Sequence, residues 1–155
     1  MLSYISPITM TTSGTIGMVL HHKGINVWTI PADASVFEAI QLLAQKNIGA
    51  LPVMEAGRII GIFSERDYTR KVALEGKTSR QTRVKEIISS NVVSVTSAHT
   101  VEDAMRLMTE KHIRHLPVID DGIMTGMISI GDMVNWIISA QSAAIDQMEA
   151  YLSGR

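Results

Sequence analysis

Residues 30–72 and 95–137 of this 155-residue chain align without a gap at an offset of 65. The register carries Val36/Val101, Ala39/Ala104, Leu42/Leu107, Lys46/Lys111, Ile48/Ile113 and Leu51/Leu116. It continues through Pro52/Pro117, Val53/Val118, Gly57/Gly122, Gly61/Gly126, Ser64/Ser129 and Asp67/Asp132. So many in-register identities mean an internal duplication, and a duplication restricts the fold more than any composition does. One unit of about 45 residues leaves an apolar sheet face bare, whereas two copies can cover each other about a pseudo-twofold axis.

Each copy reads as strand, helix, strand, strand, helix. The first strand is expected at 27–30. Ser35 stands three residues before Glu38, the spacing of a capping box, and Val36, Ala39, Ile40 and Leu43 follow at helical intervals. Thr100 and Asp103 repeat the device ahead of Val101, Ala104, Met105 and Met108. Apolar runs at 51–54 and 59–63, and again at 116–119 and 123–128, flank short Gly-containing links and predict two hairpins. A last helix should begin near Ser64 and near Ser129. The expected fold is therefore α/β (α+β), with two pseudo-symmetric β-α-β-β-α repeats packed sheet to sheet. Its segments are a flexible leader at 1–14, repeat 1 at 15–74, a polar connector at 75–90, repeat 2 at 91–138 and a C-terminal helix at 139–155.

Composition excludes several functions. With 46% hydrophobic and 19% charged residues the chain is neither disordered nor low in complexity. A net charge of −1 argues against a nucleic-acid partner. The one basic stretch, residues 66–85 with a local net of +5, suits either a solvated helix and linker or an anionic ligand. No apolar run approaches the ~20 residues of a membrane span. The absence of cysteine removes disulfides and thiolate metal sites and accords with a cytoplasmic location. His21, His22, His99, His112 and His115 show no zinc-ligand spacing, and read as surface or phosphate-contacting side chains. P-loop, dinucleotide-fold and nucleophile-elbow motifs are absent from the sequence, so no enzyme is expected.

The most tightly shared element is Gly61-Ile-Phe-Ser64-Glu-Arg-Asp67, matched by Gly126-Met-Ile-Ser129-Ile-Gly-Asp132. Ser-x-x-Asp is how an ordinary capped helix begins. It also places free N–H groups, a hydroxyl and a carboxylate within one turn of each other. The first two suit a phosphate and the last a ribose diol.

These residues resemble the CBS domain, named for cystathionine β-synthase, and two in tandem resemble a CBS pair or Bateman module. The resemblance is carried by "SVFEAIQLLAQKNIGALPVMEAGRIIGIFSERDYTRKV" and "TVEDAMRLMTEKHIRHLPVIDDGIMTGMISIGDMVNWI". It implies adenosine nucleotides (AMP, ADP, ATP or NAD) bound as regulatory ligands in clefts between the repeats. One cleft would join Met127, Ser129 and Asp132 to Val27, Trp28 and Thr29, with Lys23 nearby. The other would join Ile62, Ser64 and Asp67 to Val92 and Val93. The apolar first-strand residues would sandwich adenine, although Trp28 alone is equally a core residue.

Arg114 and His115 occupy the resemblance's phosphate-contacting positions, where the first copy has Gly49 and Ala50; the first copy instead has Arg66 and Arg70 around its Asp. The Asp132 cleft is thus the better candidate. The tail places Ile138, Ile145, Met148 and Leu152 near one helical face. The resemblance implies a homodimer, and a module without its own output domain implies an effector protein. The alternatives are an interaction module with empty clefts, a nucleic-acid binder using 66–85, and an enzyme acting on the nucleotide.

Overall fold

The computed structural model describes residues 14–24, 26–89 and 91–154. The expected leader therefore lies outside the described residues except for Gly14. The described residues form two compact units, one within 26–94 and one combining 14–24 with 95–154.

In the unit 26–94, β1 (Ile30–Pro31) runs parallel to β2 (Ala50–Glu55), which turns back antiparallel into β3 (Arg58–Ser64). The hairpin closes through Ala56 and Gly57, both at positive φ, as a two-residue turn requires to match strand twist. Between β1 and β2 lies α2 (Val36–Lys46), opened by the Ser35–Glu38 capping box and closed by left-handed Asn47. The first strand is shorter and later than the expected 27–30; only Ile30 and Pro31 find partners, Val53 and Met54. The helix expected near Ser64 begins as α3 (Glu65–Asp67) and continues with π-helical winding over Tyr68–Ala73, where the Leu74 N–H reaches back to the Thr69 carbonyl. Apolar residues from the three strands, α2 and the π-helical turn, among them Ile30, Val36, Ala39, Leu43, Leu51, Val53, Phe63 and Val72, make one core. The segment read as a polar connector adds Val84 and Ile87 to that core through a 3₁₀ turn, Val84–Glu86.

The other unit repeats the plan. α4 (Val101–Lys111) is capped by Thr100 and Asp103 and ends at left-handed His112. β4 (His115–Asp120) and β5 (Ile123–Ser129) form the second hairpin, turning at Asp121 and Gly122. Both hairpins shift register at the same place, after Val53 and after Val118, so a bulge has been copied along with the strands. The equivalent of β1 shrinks here to a single bridge between Val95 and Val118. Its next backbone donors are captured by side chains: the Thr96 N–H goes to His99 Nδ1 and the Ser97 N–H to Asp120 Oδ1, so no ladder extends. α5 (Ile130–Leu152) runs 23 residues without a break at 138, so the last helix of repeat 2 and the C-terminal helix are one element about 35 Å long.

α1 (Ile16–Lys23) precedes the first repeat in sequence but packs within the unit of the second. The Ile16 and Gly17 N–H groups donate to the His99 and Ser97 carbonyls, and the Val101 N–H donates to Gly14. In the other unit, Val84 and Lys85 donate to Ala34 and Ala32, and Val36 donates to Thr82. The segment leading into each repeat thus closes the unit of the other. A glycine marks each closure: a Cβ on Gly126 would lie 2.6 Å from Leu20 Cδ2, and one on Gly61 would lie 2.8 Å from Ile88 Cδ1.

Candidate functional site

Asp132 sits in the first turn of α5, immediately beyond the end of β5. Its Oδ2 accepts the Ser129 N–H at 2.8 Å, and Ser129 Oγ accepts the Asp132 N–H at 3.1 Å. This capping box is real, and the carboxylate does more than cap. From the last turn of α1, Lys23 Nζ donates to Asp132 Oδ2 at 2.6 Å and to the Met127 carbonyl at 2.9 Å. Both bonds to the carboxylate fall on Oδ2, so Oδ1 has no protein donor among the described residues. A cavity of about 270 Å³ adjoins the pair, lined also by Val19, His22, Asn135, Trp136 and Ser139.

Sequence reasoning passed over Trp136, which holds its ring edge-on to His22. Its buried indole N–H has no hydrogen-bond partner among the described residues. A lone helical Trp in an apolar pattern gives no sign of facing a polar cavity.

His115 opens β4 directly across from Ser129 and is half-buried. Burial holds its imidazole below the usual 6.5, against an upward pull from Asp132 and with a further downward push from Lys23 and Arg114. The ring is neutral at pH 7 and offers one donor and one acceptor rather than a cation. Arg114 is exposed, and its carbonyl accepts the Ile130 N–H, tying the strand entrance to the helix start.

In the unit 26–94 the same serine and aspartate meet different company. Asp67 Oδ2 accepts the Ser64 N–H at 2.9 Å and the Ser64 hydroxyl at 3.0 Å, while Oδ1 pairs with Lys71 at 3.2 Å. Lys71 also donates to the Ile87 carbonyl. Both carboxylate oxygens are thus engaged from within one turn and a half of helix. The i,i+4 spacing of Asp67 and Lys71 was legible in the sequence, although the motif search did not use it. Ile62 faces Pro52 across the hairpin, Arg66 is exposed, and Val92 and Val93 are half-buried after the connector.

The structure brings Lys23, Met127, Ser129 and Asp132 together, with His115 against the same strand end. Val27, Trp28 and Thr29 belong to the other unit, before β1. Trp28 is 43% exposed and carries the Lys46 ammonium 3.9 Å above its ring, so it is not a core residue there. Among the described residues no group of three or more His, Asp or Glu could hold a metal ion, and no helix is long and apolar enough to cross a membrane.

The repeated architecture has counterparts. The family model of the CBS domain matches residues 23–74 and 84–139. The CBS domain-containing protein CBSX3, mitochondrial, of Arabidopsis thaliana is 36% identical over 162 residues, which covers 96% of this chain and 78% of that protein. The structure of a protein with CBS domains from Burkholderia ambifaria MC40-6 superposes with a TM-score of 0.79 at 42% identity, over 81% of this chain and 95% of that one. At the level of fold alone, the CBS domain pair of protein MJ0100, in complex with 5′-methylthioadenosine and S-adenosyl-L-methionine, matches with a TM-score of 0.69 at 23% identity, over 79% of this chain and 98% of that one. The duplicated β-α-β-β-α plan, its copied bulge and its paired Ser-x-x-Asp turns thus have a common origin: the chain belongs to the CBS-domain family, as two CBS domains in tandem.

Proposed function

We propose that this chain is a non-catalytic regulatory module that binds an adenosine nucleotide (AMP, ADP, ATP or NAD) at Asp132 and reports its level to an effector protein in the cytoplasm. The observation that carries the reading is Asp132 itself. Its carboxylate stands at the start of a 23-residue helix with no donor to Oδ1 among the described residues, beside a cavity of about 270 Å³. A ribose diol donates two hydrogen bonds and matches such an acceptor. Arg114 and the neutral His115 lie where a phosphate would emerge from the helix start. The adenosine ligands of the MJ0100 pair fit the same chemistry in a protein of the same fold. Homodimerisation would bury the outer face of α5, where Val134, Ile138, Ile145, Met148 and Leu152 are all exposed.

A second reading holds for the other copy. Asp67 has both oxygens satisfied by Ser64 and Lys71, and its α-helical start is only three residues long. That arrangement favours a purely structural role for Ser64, Arg66 and Asp67, with Ile62 and Val93 as packing. A thermal-shift panel with AMP, ADP, ATP, NAD and GTP separates the two. Adenosine ligands at about 100 times their dissociation constant should raise Tm by several degrees, GTP should not, and Asp132→Asn should abolish the shift while Asp67→Asn preserves it. A flat panel with protein freed of carried-over ligand would leave a ligand-free interaction module.

A further inference from the structure

We infer that Lys23 is a displaceable internal counter-ion, which holds the Asp132 site in the absence of ligand and turns to the ligand's phosphate once a nucleoside takes its place. This rests on the nucleotide reading above and says which adenosine ligands the site favours. The Lys23 ammonium sits on Asp132 Oδ2 and the Met127 carbonyl, and the carboxylate is the acceptor that a ribose diol would claim. A ligand therefore competes with a group of the protein's own, and its apparent affinity is reduced by the fraction of molecules in which that group is seated.

Three features make the seat a removable one. Lys23 and Asp132 keep 36% and 19% of their side-chain surface exposed, so the displaced ammonium regains water at small cost. Lys23 is the last residue of α1, followed by Gly24 at φ 93, so no further helical turn constrains its stem. The adjoining cavity is lined by Lys23 itself and by polar His22, Asn135 and Ser139, which gives the ammonium a place to meet an anion. Once a diol neutral in charge occupies Asp132, the freed cation and the carboxylate remain close together. A phosphate on the ligand then restores a partner to Lys23, whereas plain adenosine leaves it without one. The site should accordingly discriminate by phosphate rather than by nucleoside alone.

The test is isothermal titration of full-length protein with adenosine, AMP and ADP, using wild type, Lys23→Met, Lys23→Arg and Asp132→Asn. Methionine keeps the apolar stem and removes the charge. In Lys23→Met, adenosine should bind about two- to fivefold more tightly, because a part-exposed ion pair no longer competes. The preference of wild type for AMP over adenosine, about tenfold or more, should shrink severalfold in Lys23→Met, the remainder resting with Arg114 and His115, and return in Lys23→Arg. Adenosine binding lost in Asp132→Asn together with an AMP preference unchanged in Lys23→Met would overturn the role of Lys23 while leaving the nucleotide site standing. Absence of binding by any of the three ligands to both wild type and Lys23→Met would overturn the nucleotide site, and the role of Lys23 with it.

Discussion

Asp67 and Asp132 hold equivalent places in the repeat, follow equivalent capping serines and are each met by a lysine, yet the lysines arrive from opposite directions. Lys71 is four residues ahead of Asp67 on the same stretch of helix, whereas Lys23 is 109 residues from Asp132 and belongs to α1. A counter-ion on the same helix is held in place by the turn that also holds the carboxylate. One brought in from another element is held by tertiary packing, and its removal leaves the helix intact. Duplication copied the carboxylate and its cap; it did not copy the neutralising group. At the position of Lys71 the second copy has Trp136, so no ion pair forms within that helix, and a cavity lined by Trp136 adjoins the Lys23–Asp132 pair instead.

The largest test of equivalence is in the cores. Phe63 and Ile128 are counterparts in the repeat and both are essentially fully buried. Phe63→Ala should cost about 3–5 kcal/mol and Ile128→Ala about 2–5 kcal/mol in urea unfolding. A cost below about 1 kcal/mol at either site would show that one unit contributes little to the transition. Next come the glycines under the closing segments. A Cβ at Gly61 would meet both Ile88 Cδ1 and the Ser89 carbonyl oxygen at 2.9 Å, which is backbone and cannot swing aside; at Gly126 it meets only the Leu20 side chain. Gly61→Ala should therefore destabilise by about 1–3 kcal/mol and Gly126→Ala by less, and a reversed order in thermal melts would break the distinction.

Smaller again are the caps. Ser64→Ala and Ser129→Ala should each cost about 1 kcal/mol, with Ser64 the dearer because its hydroxyl also donates to Asp67. Equal losses would mean that this extra bond adds nothing net.

The finest contrast is in pH. His115 has Ala50 as its counterpart, so only the second copy carries this titration. An imidazole held below 6.5 in the folded state binds protons more weakly there than in the unfolded chain. Its contribution is full above about pH 6.5 and is lost as the pH falls through that value toward the folded pKa. Tm measured from pH 8 to pH 5 should drop less steeply in His115→Gln than in wild type; parallel curves would assign the acid sensitivity elsewhere.

Local chemistry made most of the fold readable. The capping boxes at Ser35, Ser64, Thr100 and Ser129 all form, and both hairpins turn at their Gly-containing links. These features depend on residues within a few positions of each other, where spacing alone predicts contact. The lead-in strands were misjudged because pairing depends on what competes for each N–H. Asp120, where the first copy has Glu55, takes the Ser97 donor, and no periodicity reveals that. The packing of α1 was equally hidden, since offset-65 self-comparison aligns each repeat with the other and is blind to segments that cross over. Of the site, the sequence supplied Ser129, Asp132 and the neighbourhood of Lys23, but neither the bond from Lys23 to Asp132 nor the cavity behind it.

The crossover of α1 also orders events on the ribosome. The unit 26–94 is a continuous stretch and can close as soon as its last residues emerge. α1 leaves first yet must wait for β5 and α5, the sources of its partners Gly126 and Asp132. At about 5–20 residues per second, the 109 positions between Lys23 and Asp132 amount to roughly 5–20 s. Throughout that interval the apolar face of Ile16, Val19 and Leu20 lacks β5 and α5, the elements it packs against. A nascent chain stalled before residue 126 therefore leaves the apolar residues of 16–20 uncovered after the other unit has closed, which is where chaperone attention should concentrate.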